Sequence, residues 1–207
     1  DAPAVGRSVP GRAAPGAVVS STNRGRNRDG LDRYYTEPDL ADALTSLLDL
    51  VPGQSVVEPS TGRGAFIEAA RRRMCSVVAV DIDPEAEGLQ LCDPSARVVG
   101  DLLSTEIEAD WYIGNPPYKH AEQHIRHSIN HARVGCAFLL RLAFLESLRR
   151  WPFWEAHPPA RVWVLSRRPS FTGGTTDSCA YAWFEWRRGY DGPAALRVLP
   201  PAFGRPA

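Results

Sequence analysis

The residues best suited to chemistry are four in a row, Asn115-Pro116-Pro117-Tyr118, at the end of the apolar run Trp111-Tyr112-Ile113-Gly114. Together they can hold a planar amino group while a methyl is delivered to its nitrogen. An amino nitrogen conjugated to a ring or carbonyl is a poor nucleophile, because its lone pair is delocalised. Acceptors aimed at its N–H groups favour the positive charge that grows on nitrogen in the transition state. The Asn115 side-chain oxygen can be one acceptor and the Pro116 carbonyl the other. Pro116 and Pro117 stiffen the turn, and Tyr118 adds a flat face for stacking. The same letters also fit a bare strand end, a turn and a buried tyrosine, so the surrounding elements decide between the two.

Those elements must supply a frame of strands and turns. Val56-Val57-Glu58-Pro59-Ser60-Thr61-Gly62-Arg63-Gly64-Ala65-Phe66 is a short apolar strand running into a glycine turn, with a helix beginning near Ala65. Glycine lets the backbone approach a ligand closely, and Glu58 at the strand end suits a cation better than a phosphate. Ser76 to Val80 reads as a second buried strand that ends at Asp81. That acid lies about 20 residues past the turn, where nucleotide-binding βαβ units place a ribose-binding carboxylate. Ala96 to Gly100 reads as a third strand, leading to Asp101-Leu102-Leu103. Upstream, Tyr34-Tyr35-Thr36-Glu37-Pro38 precedes a helix expected over Asp39 to Leu50.

In this order the segments resemble the amino methyltransferases that use S-adenosylmethionine: DNA adenine-N6, some RNA base-amino, and protein glutamine enzymes. The resemblance implies a class I, Rossmann-like α/β fold with a seven-stranded, mostly parallel sheet, an antiparallel last strand and helices on both faces. It implies catalytic roles for Asn115, Pro116, Pro117 and Tyr118. It also implies cofactor contacts. Glu58, Pro59, Gly62, Gly64 and Phe66 would surround the methionine part, with Tyr35 and Thr36 in the segment that closes over it. Asp81 would hold the ribose, Ile82 would pack on the adenine, Asp101 would accept from the adenine amino group, and Leu102 would be a further cofactor contact; Asn115 would border cofactor and substrate alike. The implied reaction is direct displacement onto the N6 amino group of a flipped-out adenine in DNA. RNA base-amino groups (adenine N6 or guanine N2) and glutamine side chains present the same planar nitrogen and stay open, as does a cofactor-binding interaction subunit without catalysis. The chain is similar to the compact phage and prophage adenine enzymes, since nothing in it resembles a separate target-recognition domain.

Beyond the tetrapeptide, strands are expected over Gly135–Leu140, Arg161–Ser166 and Cys179–Trp186, the last two as a hairpin. A helix is expected over Leu145–Trp154, and Leu196–Leu199 reads as a short strand or a tail. In the resembled family the loop from Arg167 to Asp177 borders the substrate. Phe171 would then pack a flipped base opposite Tyr118, Arg167 and Arg168 would hold flanking phosphates, Lys119 would help to read the target, and Gly173-Gly174 would let the loop close. The bland alternative is a mobile polar loop with one buried aromatic. His120, His124, His127 and His131 form one stripe along a helix. A metal needs ligands that converge on a point, so no metal site is expected; the stripe reads as a partly exposed helix flank.

The 207 residues suit one domain, and a hydrophobic content of 43% supports a core. Residues 1–30, rich in Pro, Gly and Arg, read as a flexible leader, and 31–203 as the catalytic domain. Lysine and arginine together number 24, as do aspartate and glutamate, so net charge is silent about nucleic acid. No apolar run reads as a membrane span, no secretory signal is visible, and the four cysteines lack metal-binding spacing. Reduced thiols in a cytoplasmic protein are the expectation.

Overall fold

Short apolar runs separated by glycine turns become strands whose side chains point alternately to the two faces of a sheet. A computed structural model describes residues 34–171 and 177–205. Its strands are β1 (Ser55–Glu58), β2 (Ser76–Asp81), β3 (Arg97–Val99), β4 (Ala109–Gly114), β5 (Ala132–Arg141), β6 (Arg161–Leu165), β7 (Tyr181–Arg187) and β8 (Ala195–Leu199). They form one sheet in the order β3-β2-β1-β4-β5-β7-β6-β8. Among these described strands only β7 is antiparallel, wedged between β5 and β6.

The expected seven strands become eight among the described residues. The antiparallel strand is β7, but it is not the last one: β8 adds in parallel to the outer side of β6. The hairpin leaves β6 as an open edge, and an unpaired edge exposes a row of backbone donors and acceptors. β8 covers that row and buries Leu199 against the core.

Helices cover both faces. On one, α1 (Pro38–Thr45) and α2 (Ala65–Arg72) pack Leu44, Phe66 and Ile67 against Val56, Trp111 and Trp183. On the other, α4 (Ala121–His131) and α5 (Trp151–Ala156) pack Ile125 and Phe153 against Val57, Tyr112 and Phe184. A single helical turn, α3 (Glu87–Gln90), follows β2. Gly135 to Leu140 are buried without alternation, because both sheet faces are covered at the centre.

Two helix boundaries differ from expectation. α1 stops at Thr45 rather than Leu50. The Thr45 and Ser46 hydroxyls donate back to the carbonyls of Ala41 and Ala43, and Leu47 and Leu48 bond only three residues back, so the chain tightens out of the helix. The helix expected over Leu145–Trp154 is two 3-10 turns, Leu142–Leu145 and Leu148–Arg150, followed by α5. Pro152 lacks a backbone N–H and is tolerated only in a first turn, so α5 starts at Trp151. The leader and Gly173-Gly174 lie outside the described residues.

Candidate active site

Parallel strands align their carboxyl ends, and ligands of open α/β sheets bind there, where the strand order reverses. In this sheet the reversal lies between β1 and β4. The chain leaves β1 through the glycine turn and β4 through the Asn-Pro-Pro-Tyr tetrapeptide, so the pairing of β1 with β4 brings the two motifs together. A Cβ built on Gly114 would lie 3.5 Å from Glu58 Oε1. A narrow open cleft of about 20 Å³ lies between them, lined by Tyr35, Thr36, Glu58, Gly62, Phe66 and Asn115 among others.

The glycine turn is held from two sides. Gly64 has φ 82° and stands at the start of α2, in the left-handed region that disfavours side chains. Asp81 receives the Gly62 N–H at 3.0 Å and the Thr61 hydroxyl at 3.2 Å on Oδ2, and the Asp83 N–H at 3.0 Å on Oδ1. The acid expected to hold a ribose therefore braces the glycine turn. Ile82 stands 63% exposed beside it, with its apolar face open.

Glu58 is buried, and its Oε2 has no hydrogen-bond partner among the described residues. Burial first, then the nearby Asp81 charge, pushes its carboxyl well above the usual carboxylate range. A buried acid with an orphaned oxygen fits a cationic ligand. With the glycine turn and the cleft beside it, the donor set fits the methionine end of S-adenosylmethionine.

Asn115 is fixed by its amide nitrogen. Nδ2 donates to the Tyr34 carbonyl at 3.0 Å and to the Thr36 hydroxyl at 3.2 Å, while Oδ1 is buried with no partner among the described residues. Both amide protons are consumed by the segment before α1, so the oxygen is left as an oriented, unsatisfied acceptor. Pro116 is buried and Pro117 half-buried, and the Pro117 carbonyl caps the 3-10 turn Tyr118–His120.

The expected slot between Tyr118 and Phe171 is filled. Tyr34 lies 4.9 Å from the Tyr118 ring and 5.4 Å from Phe171, while Tyr181 contacts both at 5.8 and 5.1 Å. The Arg141 guanidinium lies 4.7 Å over the Tyr118 ring. Among the described residues Phe171 thus meets Tyr118 through these two tyrosines, because buried rings close on one another when nothing separates them. The Tyr118 hydroxyl is buried within reach of the Tyr181 hydroxyl and the Asn115 amide, with no hydrogen bond of normal geometry among the described residues.

Other candidates are placed less centrally. Leu102 is 1% exposed, its side chain in the core with Val57 and Val80, which leaves its backbone to meet a ligand. Asp101 is exposed and accepts from the Leu103 N–H, starting a 3-10 turn. Lys119, Arg167 and Arg168 are exposed. Arg167 lines a separate small cleft with Glu37, Leu40 and Phe203, not the aromatic slot. The histidine stripe runs from exposed His120 through buried His124 to half-buried His127 and His131. His124 is buried, and burial lowers its pKa to about 4, while His127 and His131 stack at 4.1 Å and His131 meets Glu106 at 3.1 Å. Sequence reasoning missed Arg141 and Tyr181 as site residues. The signal that could have found Arg141 is a charge closing the apolar run Cys136–Leu140 on the strand beside the tetrapeptide.

Comparison with known proteins agrees with this architecture. No family model matches the chain. It is 30% identical over 90 residues to the type II methyltransferase M.CvrRI of Paramecium bursaria Chlorella virus XZ-6E, covering 41% of the chain and 24% of that protein. It is 38% identical over 93 residues to the type II methyltransferase M.TthHB8I of Thermus thermophilus, covering 42% of the chain and 21% of that protein. The chain thus spans under a quarter of the length of these relatives. Among solved structures, the methyltransferase subunit of a type I restriction-modification system from Streptococcus thermophilus superposes with a TM-score of 0.65 at 14% identity, over 82% of this chain and 48% of that one. The RNA-methyltransferase candidate PH1948 of Pyrococcus horikoshii superposes with a TM-score of 0.63 at 18% identity, over 79% and 91%. The fold is that of the Rossmann-like methyltransferases, and the chain resembles S-adenosylmethionine-dependent DNA methyltransferases. Among the described residues no helix is long and apolar enough to cross a membrane.

Proposed function

We propose that this domain transfers a methyl group from S-adenosylmethionine to the N6 amino group of adenine in DNA. The observation that carries the reading is the anchored Asn115 amide, whose buried Oδ1 is left without a donor at the edge of the cleft. The relatives named as type II methyltransferases support DNA as the substrate.

When bound, S-adenosylmethionine supplies a methyl activated by its sulfonium. Glu58 and the glycine turn hold the methionine end, and Asp81 the ribose. Asn115 Oδ1 and the Pro116 carbonyl accept the two N–H bonds of the target amino group and stabilise the charge that develops on nitrogen. An N6 amino group is out of reach inside a stacked duplex, so the base is extruded and stacks at Tyr118. The aromatic slot opens to admit it.

The test is transfer of labelled methyl from S-adenosylmethionine to unmethylated DNA and, in parallel, to total RNA, with mass analysis of the nucleosides. N6-methyladenine in DNA is expected, and Asn115→Ala should lower the rate by about 100-fold or more with cofactor affinity nearly unchanged. Label in RNA alone would keep the reaction and overturn the substrate. Label in neither, with cofactor bound, would overturn nucleic acid as the substrate and turn attention to a protein amide or a binding role without catalysis.

A further inference from the structure

Arg141 is a strongly polar group in the aromatic cluster that the chemistry above does not use. It ends β5, in register with Tyr181 of β7, and β5 lies beside β4, whose end carries Asn115. Its guanidinium sits 4.7 Å over Tyr118 and 5.4 Å over Tyr34. Nη2 donates to the Tyr34 hydroxyl at 3.0 Å and Nε to the Tyr181 hydroxyl at 3.4 Å. Both partners are neutral phenols. Asp177 accepts the Tyr181 hydroxyl at 2.9 Å and feels the Arg141 charge through space, without touching it. Among the described residues no carboxylate pairs with Arg141 directly.

With its nearest carboxylate at a remove, this half-buried cation has room for a direct anionic partner, which a ligand can supply. Arginine has five N–H donors in a planar fork that matches phosphate in bidentate fashion, and among the described residues only two hydrogen bonds engage it here. It also covers the ring of Tyr118 on which a substrate would stack, so it must move when that face is used.

We infer that Arg141 is a substrate-contacting residue that pairs with a backbone phosphate of the nucleotide being methylated. Resting on the nucleic-acid reading above, this deepens it. The guanidinium leaves the Tyr118 face as the base arrives and exchanges two phenols for a charge-assisted phosphate contact. The same residue then favours nucleotides over a glutamine side chain, which carries a planar amide but no anion.

The experiment is fluorescence-anisotropy titration of labelled mixed-sequence single-stranded and duplex oligonucleotides at several salt concentrations, for wild type, R141Q and R141K. R141Q should bind about tenfold more weakly, with the slope of log affinity against log salt reduced by about one. R141K should keep the slope while binding several-fold more weakly, because the charge survives and the fork does not. Melting temperature and cofactor affinity confirm that each variant is folded. Unchanged affinity and slope in R141Q, in a protein that methylates nucleic acid, would overturn the inference and leave the reaction standing. A wild type that neither binds nor methylates nucleic acid would overturn the reading beneath it as well. If R141Q fails to fold, R141K decides: affinity equal to wild type would refute the phosphate contact.

Discussion

At the scale of single residues, the site is defined by what its polar atoms lack. Among the described residues Asn115 Oδ1 and Glu58 Oε2 are both buried without a donor, at the ends of neighbouring parallel strands. For Glu58 the consequence can be measured. Its pKa in the folded protein is raised above the ordinary glutamate value of 4.5, so the folded state holds a proton that the unfolded chain releases. Stability therefore falls as pH rises from about 4.5 through the folded pKa. A bound cation reverses the balance and expels the proton, so cofactor affinity rises with pH across the same window. Glu58→Gln should flatten both profiles, making the ligand-free protein more stable than wild type at about pH 8 but not at about pH 4, and binding cofactor more weakly. Thermal unfolding and calorimetric binding at several pH values check this; parallel profiles for the two proteins would remove the assignment. The tetrapeptide was legible because its chemistry is local: four consecutive residues supply the acceptor, the rigid turn and the ring. Arg141 was not, since its partners Tyr181 and Tyr34 are 40 and 107 residues away.

At the scale of elements, the glycine turn owes its shape to α3 as well as to its own glycines. The Gly88 N–H donates to the Gly62 carbonyl at 2.8 Å. A Cβ on Gly88 would lie 2.7 Å from Thr61 Cβ and 3.0 Å from the Gly64 nitrogen. Gly88→Ala should therefore cost about 1–3 kcal/mol of stability and weaken cofactor binding, because the turn must shift to make room. Denaturant unfolding and a binding titration give both numbers, and a variant unchanged in each would show that α3 does not brace the turn. Nothing in the sequence singled out Gly88, because α3 meets the turn only through the β1–β2 pairing. The shortened α1 and the late start of α5 follow from hydroxyl back-bonding and Pro152, effects that apolar periodicity does not register.

At the scale of the whole molecule, the sheet separates two cores, and the cysteines report on both. Cys75 and Cys92 lie on the α1–α2 side and Cys136 on the α4–α5 side; all three are buried, and Cys179 is half-buried. Burial raises the thiol pKa of the first three. One thiol should react quickly with a disulfide reagent in the folded protein and four after denaturation. More than one fast thiol would mean that a core is open, and fewer than four in denaturant would mean that a disulfide exists.

The strand pattern, the glycine turn, the acids at strand ends and the tetrapeptide were all readable in the sequence. Each depends on backbone geometry within a few residues, and their order along the chain follows the order of parallel crossovers. Tertiary structure alone decided that β8 covers the edge of β6, that Leu102 faces the core, and that Tyr34 and Tyr181 occupy the space expected between Tyr118 and Phe171. These outcomes depend on which strands become neighbours across the sheet and on buried rings closing over unfilled space, and no local spacing encodes either.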